Sequence, residues 1–187
     1  TDFALSGRVA VMIMGEWKQM KDFTSWSGEE MAVFIGGGLH YQTGETGSIS
    51  ADDSIVVWTV DGSVEVDGLN LYVAYVGAST DLDSGTDVDP WGIVVQGGYN
   101  IPLSNGESVE PFVRWEHLDV DSPSSTDDEI DLLTIGANYY LNGHNAKFTI
   151  DGVFAFDSLG SSASALGLLA DSSTGDDQFA LRAQFQL

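Results

Sequence analysis

The sequence predicts an all-β protein whose strands form one antiparallel transmembrane β-barrel. Three observations carry this prediction: apolar and polar side chains alternate along long runs, short and long connections alternate, and the apolar rows carry almost no charge. Successive side chains of a strand point to opposite faces of the sheet, so each run has one apolar face and one polar or small face. Tilted strands of about 9–11 residues are long enough to cross a bilayer.

The clearest alternation lies in the hairpin Glu129–Phe156. One apolar row consists of Leu133, Ile135, Ala137, Tyr139 and Leu141, and the next consists of Phe148, Ile150, Gly152, Phe154 and Phe156. Most of the interleaved residues are polar or small, among them Thr134, Gly136, Asn138, Lys147, Thr149 and Asp151. The connection Asn142–Asn145 has the Asn and Gly residues of a tight turn. The pattern predicts two neighbouring strands that share an apolar face.

The same pattern predicts nine strands along the chain. They are Phe3–Glu16, Met31–Gln42, Ser54–Val66, Leu69–Ser79, Pro90–Asn100, Val109–Asp119, Glu129–Leu141, Ala146–Phe156 and Asp177–Leu187. Because bacterial single-chain barrels usually have an even strand number, nine predicts either an eight-stranded barrel or half of one with about 16 or 18 strands. Residues 1–187 are therefore expected to form a single barrel domain or the C-terminal half of one. The start inside an alternating run favours the half, and the lack of a visible signal peptide predicts a mature form or a fragment.

The predicted connections are alternately short and long. The short ones are Asp67-Gly68, Ile101–Gly106 and Asn142–Asn145. The long ones are rich in Asp, Ser, Gly and Thr, and they are Thr43–Asp53, Thr80–Asp89, Val120–Asp128 and Asp157–Asp176. Outer-membrane barrels have short turns at the periplasmic end and longer loops outside. The connection Lys18–Glu30 does not fit, because it is long where the alternation predicts a short turn.

Composition and charge exclude several other classes of protein. The chain has 29 acidic and 6 basic residues, for a net charge of −23, and it contains no Cys. This charge opposes nucleic-acid binding, and the lack of Cys excludes disulfides and thiol catalysis. No run of about 18 apolar residues is present, so no transmembrane helix is predicted. His40, His117 and His144 are scattered and no catalytic motif accompanies them, so an enzyme is not predicted.

A soluble β-sandwich is the alternative fold. It would make the chain a secreted or surface-exposed protein with a structural or adhesive role. A sandwich explains the alternation, but its polar face would carry more Lys, Glu and Arg, and it rarely needs so many strands longer than about ten residues. The membrane barrel is therefore the leading prediction.

Several charged residues within the predicted strands lie at the polar positions. The basic ones are Arg8, Arg114, Lys147 and Arg182, and the acidic ones are Asp61, Glu65, Glu110, Glu116 and Asp151. A charge that faces lipid near the midplane costs roughly 2–4 kcal/mol, so these residues are predicted to line the pore. One interpretation makes them an ion path that sets selectivity. The other, which we favour, is a network of ion pairs in the barrel wall.

An acidic stretch and a set of aromatic residues complete the candidate sites. Asp81, Asp83, Asp87 and Asp89 lie around a glycine and resemble a calcium loop, but the spacing differs from the EF-hand pattern. A solvated acidic loop is the favoured interpretation, Ca²⁺ binding is the alternative, and no other cofactor is predicted.

Aromatic residues near strand ends are typical of interfacial girdles. They are Trp17, Trp26, Trp58, Trp91, Trp115, Tyr75, Tyr99, Tyr139 and Phe156.

Four stretches of the chain resemble one known family. They are M-G-E-W-K-Q-M-K-D-F-T-S-W-S-G-E-E (Met14–Glu30), G-G-G-L-H-Y-Q (Gly36–Gln42), W-T-V-D-G-S-V-E-V-D-G (Trp58–Gly68) and G-A-N-Y-Y-L-N-G-H-N-A-K-F (Gly136–Phe148). Together they resemble the C-terminal half of the phosphate-selective porin O and P family. The resemblance implies a homotrimeric bacterial outer-membrane channel of about 16 strands, which contacts membrane lipid and passes small anionic solutes by diffusion. The chain differs from this pattern in having only 6 basic residues.

Overall fold

A computed structural model of the chain describes residues 3–21, 24–45, 52–81, 87–121, 129–156 and 177–187. Ten strands and one short 3-10 turn, Gln19–Lys21, lie within these ranges. The strands are β1 (Phe3–Met14), β2 (Ala32–Glu45), β3 (Asp52–Val66), β4 (Leu69–Asp81), β5 (Trp91–Tyr99), β6 (Ile101–Pro102), β7 (Ser108–Asp119), β8 (Glu129–Tyr140), β9 (Lys147–Phe156) and β10 (Gln178–Gln186). The described residues include no helix that is both long and apolar enough to cross a membrane.

All strands belong to one antiparallel sheet, which confirms the all-β prediction. The order is β1-β2-β3-β4-β5-β7-β8-β9-β10, and the two-residue β6 pairs with β7. Each of the nine predicted strands is present. The additional strand, β6, lies within the predicted turn Ile101–Gly106, because Ile101 and Pro102 pair with Val109 and Ser108 before the chain reverses.

The register of neighbouring strands aligns apolar side chains on one face of the sheet and mainly polar side chains on the other. Ile135 lies opposite Val113 on one side and Gly152 on the other, and Thr134 lies opposite Arg114. A slip by one residue would exchange the two faces, so this pattern fixes the register. We call the face with Ile135 the apolar face and the face with Thr134 and Arg114 the polar face.

The sheet is open in the part of the chain that the structure describes. Strands β1 and β10 are its two ends, and each is paired on one side only. A row of backbone N–H and C=O groups is therefore left on the outer edge of each strand. A closed barrel is not present among the described strands.

The short turns confirm the predicted turn chemistry. Asp67 and Gly68 both have positive φ, of 42° and 89°, as a type I′ hairpin turn requires. A Cβ at Gly68 would come within 2.8 Å of the Asn100 carbonyl oxygen, so this position needs glycine. The turn after β8 has Gly143 at φ 52°. Of the long connections predicted at 43–53, 80–89, 120–128 and 157–176, residues 46–51, 82–86, 122–128 and 157–176 lie outside the described residues. Strands β2, β3 and β4 extend into the first two of these connections.

A small apolar core lies on the polar face, near the end with the long connections. Ile130 and Leu132 of β8 pack with Val153 and Ala155 of β9, and Leu118, Val120 and Ala180 surround them. Elsewhere the polar face carries hydroxyl, amide and charged groups together with apolar side chains such as Phe34, Val94 and Phe112. The large apolar side chains lie mainly on the opposite face, where they are exposed.

Candidate functional site

The apolar face is exposed along the whole sheet. Val60, Ile135 and Leu181, from three different strands, retain 56%, 52% and 68% of their accessible surface. The charged residues that share this face in strands β4, β7 and β8 lie at the end with the long connections, and they are Asp81, Asp119, Glu129 and Asp131. A soluble monomer rarely exposes a contiguous apolar surface of this extent. This face therefore requires an apolar covering.

Aromatic rings mark both margins of the apolar face. Near the long connections, Trp91 stacks on Tyr75 at 6.0 Å and contacts His117 at 5.0 Å between ring centroids. Near the short turns lie Tyr99 and Tyr139, both at strand ends. Trp91 and Tyr99 are separated by about 27 Å along β5, which is a height of about 20 Å at the usual tilt of membrane strands. This height is close to the height of the apolar band of a membrane barrel.

The polar face contains a cavity of about 760 Å³ over strands β4 to β10. Four of the chain's 6 basic residues contribute to its wall. Amide and hydroxyl side chains fill the space between the charges, and they include Gln96, Asn138, Thr149 and Gln184. Such a wall offers hydrogen bonds to water and hydrated solutes along its length. The charged residues in the wall are Lys21, Glu110, Arg114, Glu116, Lys147, Asp151 and Arg182.

The arginines of the polar face form ion pairs. Arg8 lies 2.7 Å from Asp61, Arg114 lies 2.9 Å from Glu116, and Arg182 lies 2.7 Å from Asp151. These are pairings that the wall-network interpretation predicts. Lys147 lies 5.8 Å from the centre of the Tyr140 ring. The candidate residues Glu65 and Glu110 are buried at the turn end of the same face.

A glycine makes the Arg8–Asp61 ion pair possible. Arg8 is on β1 and Asp61 is on β3, so the guanidinium group must cross β2. Gly36 of β2 lies directly opposite Asp61, and a Cβ there would come within 2.8 Å of Asp61 Oδ2 and would overlap the guanidinium group. Arg8 and Asp61 are 53 residues apart in the sequence, which does not reveal this pairing.

The connection between β1 and β2 turns inward over the polar face at the short-turn end. We call residues Thr24–Glu30 of this connection the inner segment. The Thr24 hydroxyl lies 3.3 Å from Glu110 Oε2 and 2.7 Å from the Tyr140 hydroxyl. The Gly68 amide donates to Ser25 Oγ at 3.2 Å. The long connection that the alternation pattern leaves unexplained is therefore part of the inner surface.

Glu110 is the hydrogen-bonded centre of this contact. Its side chain is 3% exposed, and Oε2 accepts hydrogen bonds from Tyr140 at 2.5 Å and from Asn138 at 2.9 Å. Together with Thr24 these donors replace the water that a buried carboxylate loses. Glu110 is a candidate from its position in the sequence, whereas Thr24, Asn138 and Tyr140 have no distinguishing sequence signal and were not predicted.

Two other predictions concern residues away from this wall. Asp81, Asp87 and Asp89 are exposed, and Asp83 lies outside the described residues. No three acidic or histidine side chains in the described ranges converge as a metal site would require. Trp26 does not lie in an aromatic girdle as predicted, because its ring packs on Tyr140 at the inner surface, with 5.1 Å between centroids.

Comparison with known proteins identifies no family for the chain. No family model matches it, and no solved structure matches it. An uncharacterized protein of Aquifex aeolicus (strain VF5) is 33% identical over 70 residues. This stretch is 36% of the chain and 17% of the Aquifex protein, so the chain spans a minor part of that relative. The resemblance to the phosphate-selective porin O and P family stays a prediction.

Proposed function

We propose that the chain forms part of a β-barrel channel in a bacterial outer membrane and passes small hydrophilic solutes by passive diffusion. The observation that carries this proposal is the exposed apolar face, which is free of charge from the short-turn end to the aromatic margin near the long connections. Hydrocarbon is the natural covering for such a face, because apolar surface in contact with water is unfavourable. The polar face then lines the passage, and the short turns lie at the periplasmic end.

The open edges of the sheet support a barrel with more strands than the described ones. In lipid, an unpaired backbone donor or acceptor costs several kcal/mol, so membrane sheets close on themselves. The outer edges of β1 and β10 are without a partner strand among the described residues. We infer that further strands complete the barrel, and the homotrimer that the family resemblance implies belongs to the same proposal.

Solute choice in this proposal depends on size and polarity more than on negative charge. A ladder of unpaired Arg and Lys would favour anions. Here Arg8, Arg114 and Arg182 are each paired with a carboxylate. The resemblance to phosphate-selective porins implies anionic solutes, and the ion pairs argue against a strong preference for them.

The alternative is a soluble β-sandwich with a structural or adhesive role. A sandwich needs a second sheet over the apolar face. The described residues form a single sheet and leave this face uncovered. The alternative would therefore require the covering layer to come from other residues or another chain.

Reconstitution of the full-length protein tests the proposed function. The protein should refold from urea only with detergent or lipid vesicles, and its gel mobility should change on heating. Vesicles that contain it should swell in solutions of small sugars, and empty vesicles should not. A protein that remains monodisperse without detergent and shows no heat-dependent mobility would instead support the soluble alternative.

A further inference from the structure

We infer that the inner segment Thr24–Glu30 is a fixed constriction that limits solute size at the turn end of the passage. This inference rests on the proposed function, since a constriction has meaning only in a channel. It assigns a role to the connection between β1 and β2, which is long where barrels of this kind have short turns.

The inner segment is fixed to the β3–β4 turn. The Gly28 amide donates to Asp67 Oδ1 at 2.7 Å, and the Asp67 amide donates to the Glu29 carbonyl oxygen at 3.2 Å. The Gly68 amide donates to Ser25 Oγ. These contacts attach the segment to the rim of the sheet at one point.

The same segment is fixed to a second point across the sheet. The Trp26 ring contacts Tyr140 and His144 with centroid distances of 5.1 and 5.6 Å, and both contacts are edge-on. Strands β4 and β8 are three positions apart in the sheet, or about 14 Å if it were flat. Because neighbouring residues Ser25 and Trp26 reach both places, the segment crosses the polar face from the β3–β4 turn to β8.

Burial shows that this bridge is built into the interior. Ser25 is fully buried and Thr24 is 3% exposed, although both are polar residues of a connection. Connections normally lie on the surface, because their polar groups need water. Here Glu110, Tyr140 and Gly68 satisfy those groups instead. A segment held by a buried carboxylate and by two turns has a defined position over the polar face.

The bridge borders the cavity on the polar face. Thr24 belongs to the cavity wall together with Tyr140, His144 and Lys147. A solute that follows the polar face toward the short turns therefore meets the inner segment. Shortening the Trp26 side chain removes bulk from the bridge and also its ring contacts with Tyr140 and His144.

Vesicle swelling with sugars of graded size tests the constriction. The variants Trp26→Ala and Thr24→Val are compared with the full-length natural protein, and insertion of each is verified by heat-dependent gel mobility. Trp17→Ala is the matched control, because Trp17 lies in the same connection but is half exposed and contacts Phe34. We expect Trp26→Ala to raise the rate for a tetrasaccharide relative to a pentose about two-fold or more, and Trp17→Ala to leave the ratio unchanged.

The outcomes separate the two proposals. If the natural protein swells vesicles but neither Trp26→Ala nor Thr24→Val changes the ratio of sugar rates, the constriction is wrong and the channel stands. If the natural protein gives no swelling with any sugar, the channel and the constriction are both wrong. Thr24→Val removes a single hydroxyl at nearly constant volume, so it keeps the test decisive if Trp26→Ala does not fold.

Discussion

Individual ion pairs determine what the polar face presents to a solute. Asp151 is 8% exposed and accepts a hydrogen bond from Arg182 at 2.7 Å, while Arg182 itself is half exposed. The carboxylate is therefore the group that depends on its partner. Gly36 has a similar supporting role for Arg8 and Asp61, since a side chain there would separate them.

We predict that Arg182→Met destabilises the folded protein by about 1–3 kcal/mol, because it leaves a buried carboxylate without its charged donor. Urea titration in lipid vesicles measures this change. The double variant R182M/D151N should recover part of the loss, since an amide costs less to bury than an unpaired carboxylate.

The exposed pair of Lys18 and Glu16 is the matched control for Arg182. The two side chains lie 2.8 Å apart, and the hydrogen bond with Glu16 raises the pKa of Lys18. Lys18→Met should leave the urea midpoint unchanged, because exposed pairs contribute little. An equal loss in both single variants would contradict the importance of burial for the Arg182 pair.

Single strands and turns were the part of the fold that the sequence predicted well. Period-two alternation and Asn-Gly or Asp-Gly turns are local signals, so all nine predicted strands are present. The inner segment could not be predicted, because Thr24 and Glu110 are 86 residues apart and neither belongs to a motif. The ion pairs were predicted as a class from side-chain alternation, but the individual partners required the register of the sheet.

At the β3–β4 turn, we predict that Gly68→Ala lowers the free energy of unfolding by about 1–3 kcal/mol. The residue has φ of 89°, and its Cβ would collide with the Asn100 carbonyl oxygen. Gly7→Ala is the control, since Gly7 lies in β1 with open space where the Cβ would be. Urea titration of both variants measures their free energies of unfolding. Comparable values for Gly68→Ala and Gly7→Ala would contradict the turn geometry.

The apolar face provides a sharper test at the level of a strand. Ile135 lies in the middle of β8 and is half exposed, and we predict that Ile135→Arg costs about 2–4 kcal/mol in vesicles. Gln184→Arg on the polar face of β10 should change stability little. In a soluble protein an exposed Ile135→Arg would be nearly neutral, so equal stabilities of the two variants would contradict lipid contact.

At the scale of the whole molecule, the described strands combine an apolar face that is charged only at the end with the long connections and a polar face whose arginines are paired. The chain has a net charge of −23. We therefore predict that a salt gradient across a planar bilayer gives a reversal potential with the sign of weak cation preference. A clear anion preference would show that the paired arginines still attract solutes and would favour the role implied by the family resemblance.

Planar-bilayer recording of the full-length protein is the direct test of channel formation. A channel should produce stepwise increases in current after the protein is added, with a conductance for each step that stays constant as the voltage changes. Protein that inserts into the bilayer, as heat-dependent mobility of the recovered sample would show, but produces no current steps would contradict it.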